Sequence, residues 1–482
     1  VCAKKTAIPA ILFICGSVLL AAAEPASTAG PASNTNITLR AQCPAPFNDN
    51  AVLQRDIPLP VWGTSLPGAE VSVSFEKQRK TTTANRDGKW EVTLDPLTAV
   101  KLKSPNSIPE GKSLTIVTQL DGKTETRTLK NIVVGDVWIC AGQSNMAGRL
   151  GSNRSGRYPE DTITGADYPG FRHMLMPKSE PWLVCTPETC SQFKKVAFFF
   201  GRGLYREALV PIGLVAAAVG GSRIETWLNQ EPFEIGGNYQ KLVAPIVGHG
   251  IRGAVWYQGE SNTKDGLEYL PKLTSLIEGW RKAWRQGDFS VYIVQLPGCG
   301  NPPEGAPTNE CDWAATRQAQ FEALSVKNTG MAVTIDIGDR SVHPPNKYDT
   351  GLRLARVALH HTYGFEDLVP TGPLYKSHKI EGNAIRISFE YAAKGLMIAE
   401  KEGILPPKPT PGKKLGCLAI RAKDGAWHWA DGTIESSELV VSCKDVKDPV
   451  AARYAYVDRP IGCMLYNRDG LPAAPFSTDA GK

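Results

Sequence analysis

The sequence predicts an α/β fold: a three-layer α/β/α parallel sheet flanked by N- and C-terminal β domains. Three observations predict it. Between residues 131 and 364 apolar strands alternate with long helical periods, the pattern of a parallel sheet covered on both faces. Residues 45–130 and 365–482 instead carry short runs of alternating polarity separated by turn residues, as antiparallel β structure does. No internal repeat of solenoid length breaks this order. With 482 residues, 42% of them hydrophobic and 21% charged, the chain has the composition of a globular protein with a large core. The 54 basic and 48 acidic residues leave a formal net charge of +6 without a dense Lys/Arg block, so no nucleic-acid partner is expected.

At the N-terminus, Lys4 and Lys5 precede an apolar run from Ala7 to Ala23 that ends on the small residues Ala21 and Ala23. This describes a secretory signal peptide over residues 1–23, cleaved near Ala23. The run is almost long enough to span a bilayer, but the polar Glu24-Pro-Ala-Ser-Thr that follows favours removal, and no second such stretch occurs. The expected destination is secretion or a lysosome-like compartment, with no membrane attachment after cleavage. Residues 24–44, rich in Ala, Ser, Thr, Pro and Asn, read as a flexible linker, with order beginning near Ala45. Asn36-Ile-Thr and Asn153-Arg-Ser are glycosylation acceptors, which makes a glycoprotein the expectation.

Outside the leader the cysteines are Cys43, Cys140, Cys185, Cys190, Cys299, Cys311, Cys417, Cys443 and Cys463, an odd number. Cys185 with Cys190 and Cys299 with Cys311 are expected as local disulfides, since each pair brackets a proline-containing loop. Cys140, on a strand that should be buried, is the expected free thiol. No Cys-x-x-Cys or His-Glu-x-x-His spacing points to zinc, and no metal or cofactor is expected.

The N-terminal β domain is read from Val71-Ser-Val-Ser-Phe, Trp90-Glu-Val-Thr-Leu and Leu114-Thr-Ile-Val-Thr, with turns at Asp87-Gly and Asp121-Gly. In the α/β region the strands expected are Val133–Cys140, Pro211–Val219, Ala254–Gln258, Ser290–Leu296 and Met331–Ile335. The helices are Ser191–Ala208, Glu268–Arg285, Ala315–Ser325 and Lys347–Tyr363. Leu273, Leu276, Ile277, Trp280 and Trp284 recur at helical spacing, so the tryptophans read as core. Beyond Gly364, Ala384-Ile-Arg-Ile-Ser-Phe, Cys417-Leu-Ala-Ile-Arg and Leu439-Val-Val-Ser-Cys give a sandwich-like β domain.

The chemistry sits where strands end. The first strand breaks at Gly142-Gln-Ser-Asn, placing Ser144 at the carboxyl edge where open α/β sheets collect ligands. The second runs into Gly220-Gly-Ser-Arg-Ile-Glu, the third into Gln258-Gly-Glu-Ser-Asn, and the last into Asp336-Ile-Gly-Asp-Arg-Ser-Val-His. Acyl transfer needs such a set: a hydroxyl nucleophile, a base within reach, and donors for the developing oxyanion. Ser144, His343, Gly221 and Gln258 fill those roles. Each also has a structural reading, with Ser144 a turn residue, His343 a helix cap, Gln258 and Glu260 a buried polar pair, and the two glycines a tight turn. Four separate loops supplying complementary groups at one edge favour catalysis.

Gly142-Gln-Ser-Asn-Met, Trp256-Tyr-Gln-Gly-Glu-Ser-Asn and Asp336-Ile-Gly-Asp followed by His343-Pro resemble the sialate O-acetylesterase family of SGNH hydrolases. The resemblance extends to Phe47-Asn-Asp-Asn-Ala-Val-Leu-Gln-Arg and Val61-Trp-Gly upstream, and to Leu465-Tyr-Asn-Arg-Asp-Gly-Leu-Pro downstream. It implies an SGNH-type fold and cofactor-free hydrolysis of O-acetyl esters on sugars, chiefly sialic acids. Carried over by position, Ser144 is the nucleophile and His343 the general base. The oxyanion donors would be the N–H groups of Ser144 and of the Gly220-Gly221 turn, with the Gln258 amide. Many SGNH enzymes place an aspartate three residues before the histidine, where this chain has Arg340. Asp339 is therefore the choice for the orienting acid, with Asp336 or a Ser-His dyad as alternatives. Arg223, Glu225 and Glu260 are candidate sugar contacts. Arg223 suits a sialic acid carboxylate, and its structural alternative is an ion pair with Glu225 or another acid. Two other functions stay open: an acetylesterase for xylan or another polysaccharide, and a secreted carbohydrate-binding protein with a silent hydrolase centre. An intact Ser144 and His343 argue against the silent centre.

Overall fold

One strand, β7, connects the N-terminal β region to the catalytic sheet. The computed structural model describes residues 37–152, 158–178, 180–307, 310–462 and 464–479. In chain order the N-terminal strands are β1 (Val52–Gln54), β2 (Leu59–Thr64), β3 (Glu70–Phe75), β4 (Gln78–Thr83), β5 (Lys89–Leu94) and β6 (Lys112–Leu120), followed by β7 (Lys123–Gly142). The first half of β7 pairs antiparallel with β6 and is half solvated; from Ile132 onward every residue of it is buried. The change follows from what covers it: one face is packed in the N-terminal region, both faces in the α/β layer.

The catalytic layer continues with α1 (Ser144–Ala147), β8 (Tyr168–Leu175), β9 (Leu183–Cys185), α2 (Lys195–Ala208) and β10 (Ile212–Ala218). Then come β11 (Gly253–Tyr257), α3 (Tyr269–Trp284), β12 (Ser290–Val294), α4 (Asp312–Glu322), β13 (Thr329–Ala332) and α5 (Lys347–His361). Its strand order is β13-β12-β11-β7-β10-β8-β9, parallel except for β9. Alternate side chains of β7 feed two cores, as the period of a strand requires. Val137, Ile139 and Ala141 pack with α3 tryptophans Trp280 and Trp284, while Trp138 and Cys140 pack with Phe198, Phe199 and Phe200 of α2 and Leu354 and Ala355 of α5. Helices α2 and α5 approach closely because Gly351 faces Phe199; a Cβ there would lie 2.5 Å from the Phe199 Cβ. This is the three-layer α/β/α sheet that the sequence pattern predicts.

At the entry to the buried part of β7, Asp136 is fully buried and accepts from the guanidinium groups of Arg55 (3.0 Å) and Arg252 (2.9 Å) and from Gln54 Nε2 (3.1 Å). A buried carboxylate needs this many donors to offset its lost hydration. The C-terminal region forms further antiparallel sheets, among them a four-stranded one in which 384–390 pairs with 374–381 and 438–442. Its core is continuous with Met331, Val333 and Ile335 at the end of β13.

Several expectations change. Residues 38–44 are not a free linker: Ala41 is buried, Gln42 bridges Thr64, and the Leu39 carbonyl accepts from Ser65 and Thr118. The leader, Asn36 and Asn153 lie outside the described residues. Residue 130, the expected first boundary, is inside β7. By internal contacts the chain divides into Val1–Ile37 and Thr38–Lys482, and every element above belongs to the second unit. The hairpin of β8 and β9 was not expected, because the buried Arg172 and His173 interrupt its apolar pattern.

The two expected local disulfides are absent. Cys43, Cys140, Cys185, Cys190, Cys299, Cys311 and Cys443 are free thiols, and Cys463 lies outside the described residues. Cys311 instead caps α4, its sulfur accepting from Ala314 N and donating to Asp458 Oδ1 at 3.1 Å, whereas Cys299 reaches the Arg340 carbonyl. Cys185 and Cys190 are sealed in the apolar layer beneath α2. Burial pushes the Cys140 and Cys185 thiols up, and those of Cys43 and Cys311 to about 11 and about 12, so little thiolate forms.

Candidate active site

Register brings the strand ends level: Ala218 of β10 and Tyr257 of β11 both lie opposite Gly142 of β7. Gly142 has φ +139, and a Cβ on it would sit 2.0 Å from the Tyr257 carbonyl oxygen. Only glycine passes there, and it turns the chain into α1 with Ser144 as the first helical residue. The short helix is fixed by Met146 and Ala147 N–H groups donating to the Gln143 carbonyl. The Ser144 N–H donates to no group among the described residues, as expected for the start of a helix.

Ser144 Oγ and His343 Nε2 are 2.8 Å apart, although 199 residues separate them in sequence. His343 is exposed on the loop between β13 and α5, and its own N–H donates to Ser341 Oγ at 3.0 Å. Gly220 also lies against the serine: a Cβ on it would be 3.7 Å from Ser144 Cβ. Gly221 follows with φ +71 and open space where a side chain would stand. Ser144, His343 and the Gly220-Gly221 turn are therefore together.

A buried polar brace links the two reacting loops. Asn145 Nδ2 donates to the Val342 carbonyl at 2.9 Å, one residue before His343, and to the Glu260 carboxylate; Lys347 Nζ donates to Asn145 Oδ1 at 2.5 Å. Lys347 also lies 5.5 Å from the Tyr257 ring. Burial drives the Lys347 ammonium down to about 7, and burial raises the Glu260 carboxyl against the opposing hydrogen bond from Asn145. Asn145 and Lys347 were not singled out in the sequence. The available signal was position, since one follows the serine and the other opens the helix after the histidine.

Other predicted residues are placed differently. Gln258 is fully buried and its carboxamide is committed. Nε2 donates to Gln143 Oε1 (3.1 Å), the Ser222 carbonyl (3.1 Å) and Asn262 Oδ1 (2.8 Å), and Oε1 accepts from Tyr269 at 2.7 Å. Both its N–H groups are thus engaged within the protein, whereas the sequence reading expects one of them to face the oxyanion. Glu260 faces Asn145, not the open edge. Arg223 takes the ion-pair alternative: it pairs with Glu225 at 3.1 Å and Asp265 at 3.0 Å, and Lys272 joins both acids at 2.7 Å. Partial burial raises the Glu225 carboxyl, but hydrogen bonds from Lys272, Asn262 and Arg223 outweigh it and hold the group at about 2. Asp336 is excluded as the orienting acid, because it is paired with Arg353 (2.6 Å) and accepts from Tyr466 at 3.0 Å. Asp339 sits in the His343 loop, bridged to Cys299, with Oδ1 accepting from Arg340 N at 2.6 Å. Among the described residues no cluster of His, Cys, Asp and Glu is arranged to hold a metal ion.

The profile of the family described as "Carbohydrate esterase, sialic acid-specific acetylesterase" matches residues 134–359, the span that carries Ser144, the Gly220-Gly221 turn, Gln258, Asp339 and His343. A crystal structure of a carbohydrate acetylesterase from Xanthomonas citri superposes with a TM-score of 0.79 at 30% identity, covering 91% of this chain and all of that one. The chain belongs to this carbohydrate esterase family. Two curated relatives are the sialate O-acetylesterases of Pongo abelii and Homo sapiens, 26% and 25% identical over 89% of this chain and 91% of theirs. Family membership makes the protein a carboxylic ester hydrolase, and the flanking β regions belong to the shared architecture, since the similarity spans them. Among the described residues no helix is long and apolar enough to cross a membrane.

Proposed function

We propose that the protein removes O-acetyl groups from sialic acids through an acetyl-enzyme intermediate, with Ser144 as nucleophile and His343 as general base. The observation that carries the reading is the 2.8 Å contact between Ser144 Oγ and His343 Nε2 at the open edge of the sheet. His343 Nε2 takes the serine proton as Oγ attacks the acetyl carbonyl, and the N–H groups of Ser144 and Gly221 face the developing oxyanion. The imidazolium then gives its proton to the departing sugar oxygen. Water, deprotonated by the same nitrogen, attacks the acetyl-enzyme and releases acetate. Asp339, on the His343 loop, is the acid proposed to orient the imidazole. The sialate O-acetylesterase relatives support sialic acid as the sugar, and the leader in the sequence supports action in the secretory pathway. The Xanthomonas citri relative, a carbohydrate acetylesterase, supports only the broader reading of an acetylated carbohydrate, within which acetylated xylan or another polysaccharide is the alternative. Acetate release from O-acetylated sialic acid and from acetylated xylan, measured side by side, tests the choice. Preference for the sialic acid ester is expected, and turnover of xylan alone would replace the substrate while keeping the mechanism.

A further inference from the structure

A cavity of about 610 Å³ lies between α2, α5 and residues 404–407, and neither Ser144, His343 nor the Gly220-Gly221 turn lines it. The two helices close on each other here because Gly203 faces Ala355: a Cβ on it would lie 2.7 Å from the Ala355 Cβ. Arg202 and Arg206, one turn apart on α2, and Arg356 of α5 thereby line one space. The charges of this lining do not balance. Arg353 is taken by Asp336 and Lys401 by Asp349, each at 2.6 Å. The other three guanidinium groups have no carboxylate partner among the described residues. Arg206 Nη2 donates to the Tyr168 hydroxyl at 2.6 Å, and Arg356 Nε donates to the Val369 carbonyl. Arg202 has no acceptor among the described residues and rests on the rings of Phe198 and Phe199, 5.3 and 5.1 Å from their centroids. It is 7% exposed, yet its nitrogens are not among the polar atoms sealed from solvent, so they open into the cavity. Burial lowers this guanidinium from its ordinary value and Arg206 lowers it further, against Tyr168, Tyr348 and Asp161. A charge buried without an acceptor is costly unless a ligand supplies one. Glu207 is the lining acid without an ion pair among the described residues, so Arg202, Arg206 and Arg356 against Glu207 leave two positive charges in surplus.

We propose that this cavity is a second, non-catalytic binding site, and that it takes a small organic phosphate monoester whose phosphate oxygens accept from Arg202, Arg206 and Arg356. Such a group carries about −1.5 to −2 charge at pH 7 and so matches the surplus, which a single carboxylate does not. Planar guanidinium forks pair with phosphate oxygens two N–H groups at a time. Leu352, Phe365, Leu405 and Pro406 line the same space and give the organic part of the ester an apolar wall. The volume is that of a site for a small molecule. Binding here is independent of the Ser144 nucleophile.

Isothermal titration calorimetry of the full chain with glucose 6-phosphate, inorganic phosphate and glucuronate tests the site. Glucose 6-phosphate is expected to bind, one molecule per chain, and inorganic phosphate more weakly at the same residues. Glucuronate, which keeps a sugar ring but carries a carboxylate, should be weaker than glucose 6-phosphate by at least about tenfold. Arg202→Gln and Arg356→Gln should each weaken glucose 6-phosphate by at least about tenfold, with p-nitrophenyl acetate turnover unchanged. If Arg202→Gln folds poorly, Arg356→Gln carries the test, since that side chain is only half-buried. No binding of glucose 6-phosphate at millimolar concentration would overturn the proposal. So would an affinity in Arg356→Gln within about threefold of the parent, which places the ligand elsewhere. Glucuronate binding as tightly as glucose 6-phosphate would overturn the phosphate, and inorganic phosphate binding as tightly would overturn the ester.

Discussion

Gly142 lets the strand of the nucleophile end beside the Tyr257 carbonyl, where a side chain has no room. Gly142→Ala places a methyl 2.0 Å from that oxygen at a φ of +139. The expected cost is at least about 2 kcal/mol of stability together with loss of turnover, measured by urea unfolding and acetyl ester hydrolysis. If Asp339 orients the imidazole, Asp339→Asn should lower kcat/KM by at least about 10²-fold without changing the unfolding midpoint. Unchanged activity would leave a Ser144–His343 dyad. The serine and histidine were legible in the sequence because each follows a strand end within a distinctive run of residues. The amide was not legible. Gln258 stands at the donor position by sequence, and only its partners in space, Gln143, Ser222, Asn262 and Tyr269, show that its carboxamide is engaged within the protein.

At the scale of elements, the loop before α5 and the turn before α1 are tied by Asn145, with Lys347 buried beneath them. The native Lys347 titrates near 7 and the unfolded side chain near 10.4, so between these values the unfolded chain binds the extra proton. A lysine with a lowered native pKa therefore makes stability rise as pH increases from about 7 toward 10, by at most about 1.4 kcal/mol per pH unit. Below 7 both states are charged and the contribution is flat. Urea unfolding at a series of pH values should show this rise in the parent and not in Lys347→Met, whose loss of the bond to Asn145 should also lower kcat. Helices α3 and α5 were readable from apolar period alone. The hairpin of β8 and β9 was not, since its interior charge, Arg172, donates through Nη1 to carbonyls of Asn50 and Asn131 far away in sequence. The missed brace has the same origin: Lys347 looks like a surface residue at a helix start until three loops close over it.

Across the whole molecule, the regions that composition separates are joined in space. The N-terminal boundary falls inside β7, a strand whose two halves belong to different layers. The C-terminal region is bound to the hydrolase layer through the Asp336–Arg353 pair and Tyr466, and through Arg317 of α4, which donates to the carbonyls of Asp458 (3.2 Å) and Ala455 (3.4 Å). A change in side-chain pattern marks where the environment changes, not where cooperativity ends, so these joins were invisible in the sequence. A chain ending at residue 364 is expected to lose activity and a cooperative unfolding transition, because it exposes Met331, Val333 and Ile335 and takes from Arg317 the Ala455, Val457 and Asp458 carbonyls. Retained turnover by the truncated chain would show that the layers are independent. The central claim is that one serine and one histidine, joined across the carboxyl edge of the sheet, hydrolyse the ester. The most direct test is to react the protein with a serine-directed phosphonate and map the adduct by mass spectrometry. The account predicts modification of Ser144 alone, absent in Ser144→Ala and strongly slowed in His343→Ala; labelling that survives Ser144→Ala would contradict it.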